Sequence, residues 1–370
     1  MYSPKYTITN NILKNIGTIE ACREVVENAP IIPGYERQFR EDALIRTVHH
    51  GTHIEGNDLS LDQAGKVMAG AGSETQAEVV AEKVNVVARE RDIQEIINYR
   101  AVMLLVDKLF QDHRGQDLKY TEAQVKELHK QAVHRIVAEE LAGEYRKTQV
   151  VLRDSRTNEI TFRPPPALEV PYLMEDFLSW LNNNQARDIH PVIRAAVAHY
   201  ALAAIHPFVE GNGRTARAYA TLVMFIEGYD IKRLFALEEY FDRDAESYYT
   251  ALIQTSNQSR ELNERDLTGW IEYFTHGLSI ELVRVRDKVR KLSVDARIKT
   301  KRGQQVLLSD RQIRIAEYLS DNQRASMSDL RSVFSMISED TVLRELQDLV
   351  KKKILRKKGK TKGAYYELVT

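Results

Sequence analysis

With 370 residues, 43% of them apolar and 29% charged, the chain has the make-up of a globular protein large enough for two or three compact units. Lysine plus arginine equals aspartate plus glutamate at 53 each, so the whole is not built to seek polyanions, although the stretch from Lys301 onward is net basic and the rest net acidic. A single cysteine, Cys22, excludes an internal disulfide and fits a reducing cytosol, so a cytoplasmic location is expected.

In chain order, residues 1–15 are polar and carry no apolar core of the signal-peptide kind. His49, His50 and His53 cluster, but without cysteine or well-spaced carboxylates they read as packed or solvated side chains, not as a metal site. Helical periodicity covers residues 75–109 and 121–141, the second opened by Thr121 and Gln124 in capping-box spacing. Residues 148–163 hold the clear β signal. Thr148, Val150 and Leu152 alternate with Gln149, Val151 and Arg153, and Ile160, Thr161 and Phe162 follow as a second strand. Asp154, Ser155 and Asn158 supply the turn, and the proline triplet at 164–166 ends the hairpin.

Helical patterns return at residues 173–182, 192–205, 216–226 and 267–291, with Pro171 and Pro191 at boundaries. The most apolar run, 192–209, contains Arg194, His199 and His206, so it reads as a core helix and loop, and no membrane partner is expected. His190 is placed at a helix start and His199 in the core, while Tyr248 and Tyr249 divide between core and surface.

Residues 206–217 read His-Pro-Phe-Val-Glu-Gly-Asn-Gly-Arg-Thr-Ala-Arg, and no other stretch concentrates as much chemistry. The flanking helical patterns make this a loop between two buried helices, with Gly211 and Gly213 letting the backbone turn sharply. A helix starting near Gly213 would aim its free N–H groups and positive dipole end at an anion. Arg214 and Arg217, three apart, share a face and suit phosphate oxygens. Glu210 is a hard oxygen ligand for a Mg²⁺ that keeps most of its waters. His206 can take a proton near neutral pH, Asn212 can donate to an oxygen that gains charge, and Phe208 faces the core.

The run matches, position for position, the Fic family signature His-x-Phe-x-(Asp/Glu)-Gly-Asn-Gly-Arg-x-x-Arg. Proteins it resembles transfer AMP from ATP to a Ser, Thr or Tyr hydroxyl of a target protein. The resemblance makes His206 the base, Glu210 the holder of Mg²⁺, and Gly211, Asn212 and Gly213 the cradle for the α- and β-phosphates. Arg214 would assist there and Arg217 would hold the γ-phosphate. Doc-type relatives, which move a phosphate, carry Lys where this chain has Gly213, so AMP transfer is favoured. The ordering expected of Fic proteins extends over residues 45–280. In that family a hairpin at the place of residues 148–163, the flap, pairs with the target's backbone, which assigns target docking to Val150, Val151 and Leu152.

Upstream, Thr52-His53-Ile54-Glu55-Gly56-Asn57 resembles the inhibitory helix, (Ser/Thr)-x-x-x-Glu-(Gly/Asn), of Fic proteins that carry it before the core. There the glutamate pairs with the last arginine of the signature and denies it to the γ-phosphate, so Glu55 would pair with Arg217. One position departs: Gly51, not Ser or Thr, lies four before Glu55.

From Ser309 the pattern changes. Ser309 and Gln312 form a capping box before a helix with Ile313, Ile315, Ala316 and Leu319 in its core. Ser328 and Asp329 cap a short helix to Phe334, and Ser338 opens a third carrying Val342, Leu346 and Leu349. Residues 354–356 and 365–369 read as strands around Gly359 and Gly363. Three helices and a hairpin resemble a winged-helix domain, its wing crowded by Lys351, Lys352, Lys353, Arg356, Lys357, Lys358, Lys360 and Lys362. Such a wing serves DNA phosphates or a protein partner, and both stay open.

The expected fold is therefore mainly α: a Fic helical core with a β-hairpin flap, preceded by a helical region with the inhibitory motif and followed by a winged helix, over residues 1–110, 111–295 and 300–370. The expected activity is a nucleotidyltransferase moving AMP from ATP, with Mg²⁺, onto a target protein or itself, held down by Glu55. A DNA-binding regulator with a nucleotide-sensing core, and the reverse reaction with Glu55 positioning water, are the alternatives. A homodimer is allowed.

Overall fold

The computed structural model describes residues 2–29, 31, 33–72, 76–112, 119–153, 158–300, 309–334, 337–359 and 364–369. The chain divides into two compact units, residues 1–290 and 291–370. Among the described residues no helix is long and apolar enough to cross a membrane.

The first unit is helical: α1 (Asn10–Asn28), α2 (Pro33–His53), α3 (Leu61–Ala71), α4 (Ala77–Val84), α5 (Glu90–Asp112), α6 (Glu122–Ala132), α7 (Val170–Leu181), α8 (Asn184–Arg187), α9 (Pro191–Ile205), α10 (Asn212–Ile226), α11 (Leu237–Arg243), α12 (Ala245–Ser256) and α13 (Thr268–Thr300). Its centre is the pair α9 and α10, with α5, α6 and α7 packed around them. In α9 all but two of fifteen residues are buried, including Arg194, which pairs with Glu227 at 2.6 Å. Helix α2 is bolted to α11 and α13 by Arg46, whose guanidinium donates to Glu239 at 2.6 Å and Glu281 at 2.9 Å.

Two of the expected long helices are broken. The pattern at 75–109 divides into α4 and α5, because Asn85 takes a left-handed conformation (φ 52) and closes its N–H onto Ala81 and Glu82; Thr75 lies outside the described residues. The pattern at 121–141 does open on the Thr121–Gln124 capping box, but α6 stops at Ala132. Asn98 Nδ2 donates to the carbonyls of Ala132 and His134 (3.4 and 2.7 Å) and so supplies from another helix what the next turn would have given.

The hairpin is shorter than expected. β1 (Leu152–Arg153) pairs antiparallel with β2 (Ile160–Phe162), Leu152 opposite Phe162. Thr148, Val150 and Val151 lie outside it. Continued in that register, residues 148–150 would face Pro164, Pro165 and Pro166, which have no N–H to donate. Side chains take their carbonyls instead: Gln149 Nε2 donates to Val150 O (3.1 Å) and Arg146 to Thr148 O (3.3 Å). Of the turn residues, Asn158 has a left-handed φ of 58, while Asp154 and Ser155 lie outside the described residues.

The second unit holds α14 (Asp310–Asn322), α15 (Met327–Val333) and α16 (Glu339–Lys351) with a three-stranded antiparallel sheet. Its strands are β3 (Arg324–Ser326), β4 (Leu355–Lys358) and β5 (Tyr365–Leu368), in the order β3-β5-β4. The Ser309–Gln312 capping box is present. Ile315, Leu319, Val342, Leu346 and Leu349 share one core. The second helix is capped by Ser326 with Asp329, two residues earlier than expected, and β3 is an element the sequence reading lacked. Ile313's side chain, Lys360, Lys362 and Gly363 lie outside the described set.

Candidate active site

The motif loop, residues 206–211, joins α9 to α10 as expected. Helix α9 ends because His206 takes the left-handed backbone conformation, φ 53 and ψ 59, with its N–H on Leu202 O at 3.0 Å. A side-chain-bearing residue there costs roughly 1–2 kcal/mol, so neighbours must hold it. Arg146 does so. Its buried guanidinium donates to His206 O at 2.8 Å and Pro165 O at 2.6 Å, and its backbone N–H donates to Pro207 O at 2.9 Å. One side chain thus ties the start of the loop to the base of the hairpin, and nothing in local sequence pattern marked it.

His206 Nδ1 lies 3.3 Å from Ala203 O. A carbonyl only accepts, so the ring proton sits on Nδ1 and Nε2 keeps its lone pair. Burial pushes the imidazole down to about 4, which makes it neutral at pH 7 and ready to accept a proton.

The rest of the loop is fixed from below. Phe208 is fully buried and stacks on His129, ring centres 3.6 Å apart. His129 Nε2 donates to Glu210 O and its Nδ1 accepts from Gly143 N–H, each at 2.9 Å. Asn212 has a structural role besides the expected one: its Oδ1 accepts from Phe208 N–H and one hydrogen of its Nδ2 is donated to Phe208 O, both at 2.9 Å, so the buried amide closes the loop on itself. The two glycines also differ. Gly211 needs its freedom, with φ +76, and a Cβ there would meet Val133 at 2.5 Å. Gly213 is helical, and its missing Cβ instead makes room for Glu55, whose Oε1 would lie 2.4 Å from it.

Helix α10 starts at Asn212, which leaves its first N–H groups and dipole end facing the loop. Arg214 and Arg217 emerge from its first two turns, both about 2% exposed. Both meet Glu55: Arg217 Nη2 donates to Oε1 at 2.6 Å and Arg214 Nε to Oε2 at 2.9 Å. The expected Glu55–Arg217 pair is present, and Arg214 is added to it. Burial opposes ionisation of Glu55, but the two guanidiniums outweigh it and hold the carboxyl below its ordinary range.

Glu55 lies in the hydrogen-bonded turn after α2, not in the helix. That turn is anchored on three sides. His50 and His53 both bond Asp242 of α11, Tyr249 OH donates to Ile54 O at 3.0 Å, and Asn57 Nδ2 donates to Glu95 of α5 at 3.0 Å. Gly51 has a structural reason: a Cβ there would lie 2.3 Å from the Tyr99 ring, and its carbonyl accepts from Arg217 at 2.7 Å. The Thr52 hydroxyl bonds back to Val48 O and His49 O and leaves Glu55 alone. Gly51→Ser is therefore expected to lower stability by about 1–3 kcal/mol through overpacking. A urea melt unchanged from the parent protein would show that Tyr99 yields freely.

Glu210 is a single, one-third-exposed carboxylate at the head of α10, ion-paired with Arg91 and 3.8 Å from Arg214. No group of three His, Cys, Asp or Glu among the described residues is placed to hold a metal. One carboxylate suits a Mg²⁺ that arrives with phosphates and waters, and not one caged by protein. His190 caps α9, and His199 is a core residue bonded to Tyr248 OH at 3.1 Å. Tyr248 is buried and Tyr249 38% exposed, a core and surface division as expected. Glu95, Arg91 and Tyr99 complete the surroundings of the arginines. None of the three was named from the sequence, and the Arg91–Glu95 spacing of four is the one local pattern that could have marked any of them.

Residues 119–224 match the family model described as Fic/DOC family. The chain is 32% identical over 193 residues to the protein adenylyltransferase Fic of Drosophila grimshawi, an alignment covering 52% of this chain and 35% of that protein. The chain thus spans about a third of the length of the curated relatives it matches. A solved structure of a Fic family protein from Desulfovibrio desulfuricans G20 aligns over 100% of this chain and 98% of its own, at 24% identity and a TM-score of 0.60. Fic-1 from C. elegans aligns over 75% of this chain and 73% of its own, at 22% identity and a TM-score of 0.56. At those identities the likeness is one of fold. By family model, residues 119–224 are a Fic/DOC family domain.

Proposed function

We propose that the chain is a protein adenylyltransferase held down by Glu55. The observation that carries this reading is the shared occupation of Arg214 and Arg217 by one carboxylate, beside a neutral His206 with a free Nε2 lone pair. In the reaction, a target hydroxyl oxygen attacks the α-phosphorus of ATP. The bond from that phosphorus to the bridging oxygen of the β-phosphate breaks, and pyrophosphate leaves. The hydroxyl proton passes to His206 Nε2. The α10 N-terminus and the backbone of Gly211, Asn212 and Gly213 face the phosphates, with Arg214 beside them and Arg217 on the γ-phosphate once Glu55 withdraws. Mg²⁺ bound through Glu210 would neutralise phosphate charge, which requires Arg91 to release that carboxylate.

The β1–β2 hairpin serves as the flap, with Leu152 in its edge and Val150 and Val151 leading into it, so that a target segment adds as a strand. The second unit is read as a winged helix, and with residues 1–110 and 111–295 it makes three functional parts. Among the basic side chains of its wing, Lys352 pairs with Asp348 at 2.6 Å and Lys358 with Glu367 at 2.9 Å. The wing stays net basic and serves DNA phosphates or a protein partner.

Intact mass measurement after incubation with Mg²⁺ and ATP tests the reading. A gain equal to AMP on the chain or on an added protein is expected, larger in Glu55→Gly. A gain equal to one phosphate would replace the reading with phosphoryl transfer.

A further inference from the structure

A groove of about 360 Å³ runs between β2 and the segment linking α12 to α13, and nothing in the catalytic reading uses it. Its lining includes Thr161 and Arg163 from the hairpin, Ser256 and Asn257 from the end of α12, and Arg260 and Arg265 from the link. Among the described residues arginine is its only charged type. Arg265 is 2% exposed, yet its guanidinium has neutral partners: Ser259 O at 2.9 Å, Arg260 O at 3.1 Å and Tyr200 OH at 3.2 Å. The carboxylates nearest in sequence are engaged elsewhere, Glu264 by Lys5 and Asp266 by the Thr268 backbone and hydroxyl, and Glu261 does not line the groove. A cation removed from water without a counter-ion is costly, and a groove lined by two more guanidiniums focuses that field on whatever enters.

We propose that this groove is an anion subsite for the protein substrate, receiving an acidic side chain of the target chain where it continues beyond the segment paired with β1. Its ligand assignment rests on the adenylyltransferase reading. One wall is β2, the partner of the docking strand β1, so the acidic side chain comes from target residues that run on past the paired segment and around the hairpin onto β2. Guanidinium geometry matches both carboxylate and phosphate, so a glutamate, an aspartate or a phosphorylated residue shares the required chemistry.

The test uses the full chain carrying Glu55→Gly and fluorescein-labelled threonine peptides flanked by glutamate, by glutamine, or by phosphoserine. Fluorescence anisotropy is expected to show the glutamate peptide binding about tenfold tighter than the glutamine peptide, the worth of one charge-assisted hydrogen bond. The preference should shrink with salt and disappear in Arg163→Ala/Arg260→Ala, two exposed positions whose truncation spares the core. Comparing glutamate with phosphoserine identifies which anion the groove prefers. Equal affinity for glutamate and glutamine peptides, a preference that survives the double variant, or displacement of the peptide by ATP would each overturn the assignment. AMP incorporation is measured in parallel. Its absence with the binding preference intact sinks the catalytic reading alone, and labelling without preference sinks the subsite alone.

Discussion

His206→Ala is expected to cut AMP incorporation by about a hundredfold to ten-thousandfold, the range a positioned general base contributes. The loss should fall on turnover and not on nucleotide affinity, because the phosphates meet α10 and its arginines, whereas the imidazole meets the hydroxyl. Measured in a Glu55→Gly background, ATP affinity by calorimetry should therefore stay within a few-fold of the parent while labelled-ATP transfer collapses. The pH profile gives a second check. With the ring pushed down to about 4 by burial, it remains a base from about pH 5 upward, and the rate should fall only as pH drops through that value. An acid limb centred near about 6.5 would mean the ring is solvated during turnover. Transfer by the alanine variant at the parent rate would remove His206 from the mechanism.

Glu55→Gly is the opposite experiment. Glu55 makes a charge-assisted hydrogen bond to each of Arg214 and Arg217, and each such bond is worth roughly 1.5–3 kcal/mol. ATP must displace at least one of them, so removing the carboxylate should raise AMP incorporation by about tenfold or more. The same change carries a stability signature that a generic activating mutation lacks. Two guanidiniums, each about 2% exposed, lose their closest carboxylate, although Arg214 keeps Glu95 at 3.6 Å and Arg217 keeps Gly51 O at 2.7 Å, so the cost stays below the roughly 3–5 kcal/mol of a fully buried pair broken from one side. The variant without nucleotide should therefore melt at lower temperature, and ATP should restore more stability to it than to the parent. An unchanged melting temperature together with unchanged labelling would show that Glu55 restrains nothing. The anchors of its turn, Asp242, Tyr249 and Glu95, come from three other segments, so the contact is built into the packing of the unit and not into a local helix.

Much of the chemistry was legible before the fold. The twelve-residue run declared a loop between two buried helices, and the placement of His206, Arg214 and Arg217 followed from it. Glu55 was legible through resemblance, since one glutamate beside a turn has no signature of its own. The capping boxes at Thr121 and Ser309 were legible because an N-cap and its N3 partner lie within one turn and depend on nothing distant.

Asn212 has the chemistry of an oxyanion donor, but its oxygen and one of its two amide hydrogens are tied to Phe208, a closure that spacing does not reveal. What went astray depended on distant partners. Gly213 was given a turning role when its work is to admit a carboxylate from residue 55. The hairpin was drawn too long because alternation in one strand says nothing about its partner, which here is three prolines unable to donate. Arg146 and His129, which brace both ends of the motif loop, carry no local pattern at all. The chain's own order of residues determined which groups exist, their spacing on each helix, and where short-range caps begin. Only tertiary packing decided which groups face each other, because ion pairs, stacked rings and the room left by a missing Cβ are set by segments far apart in the chain.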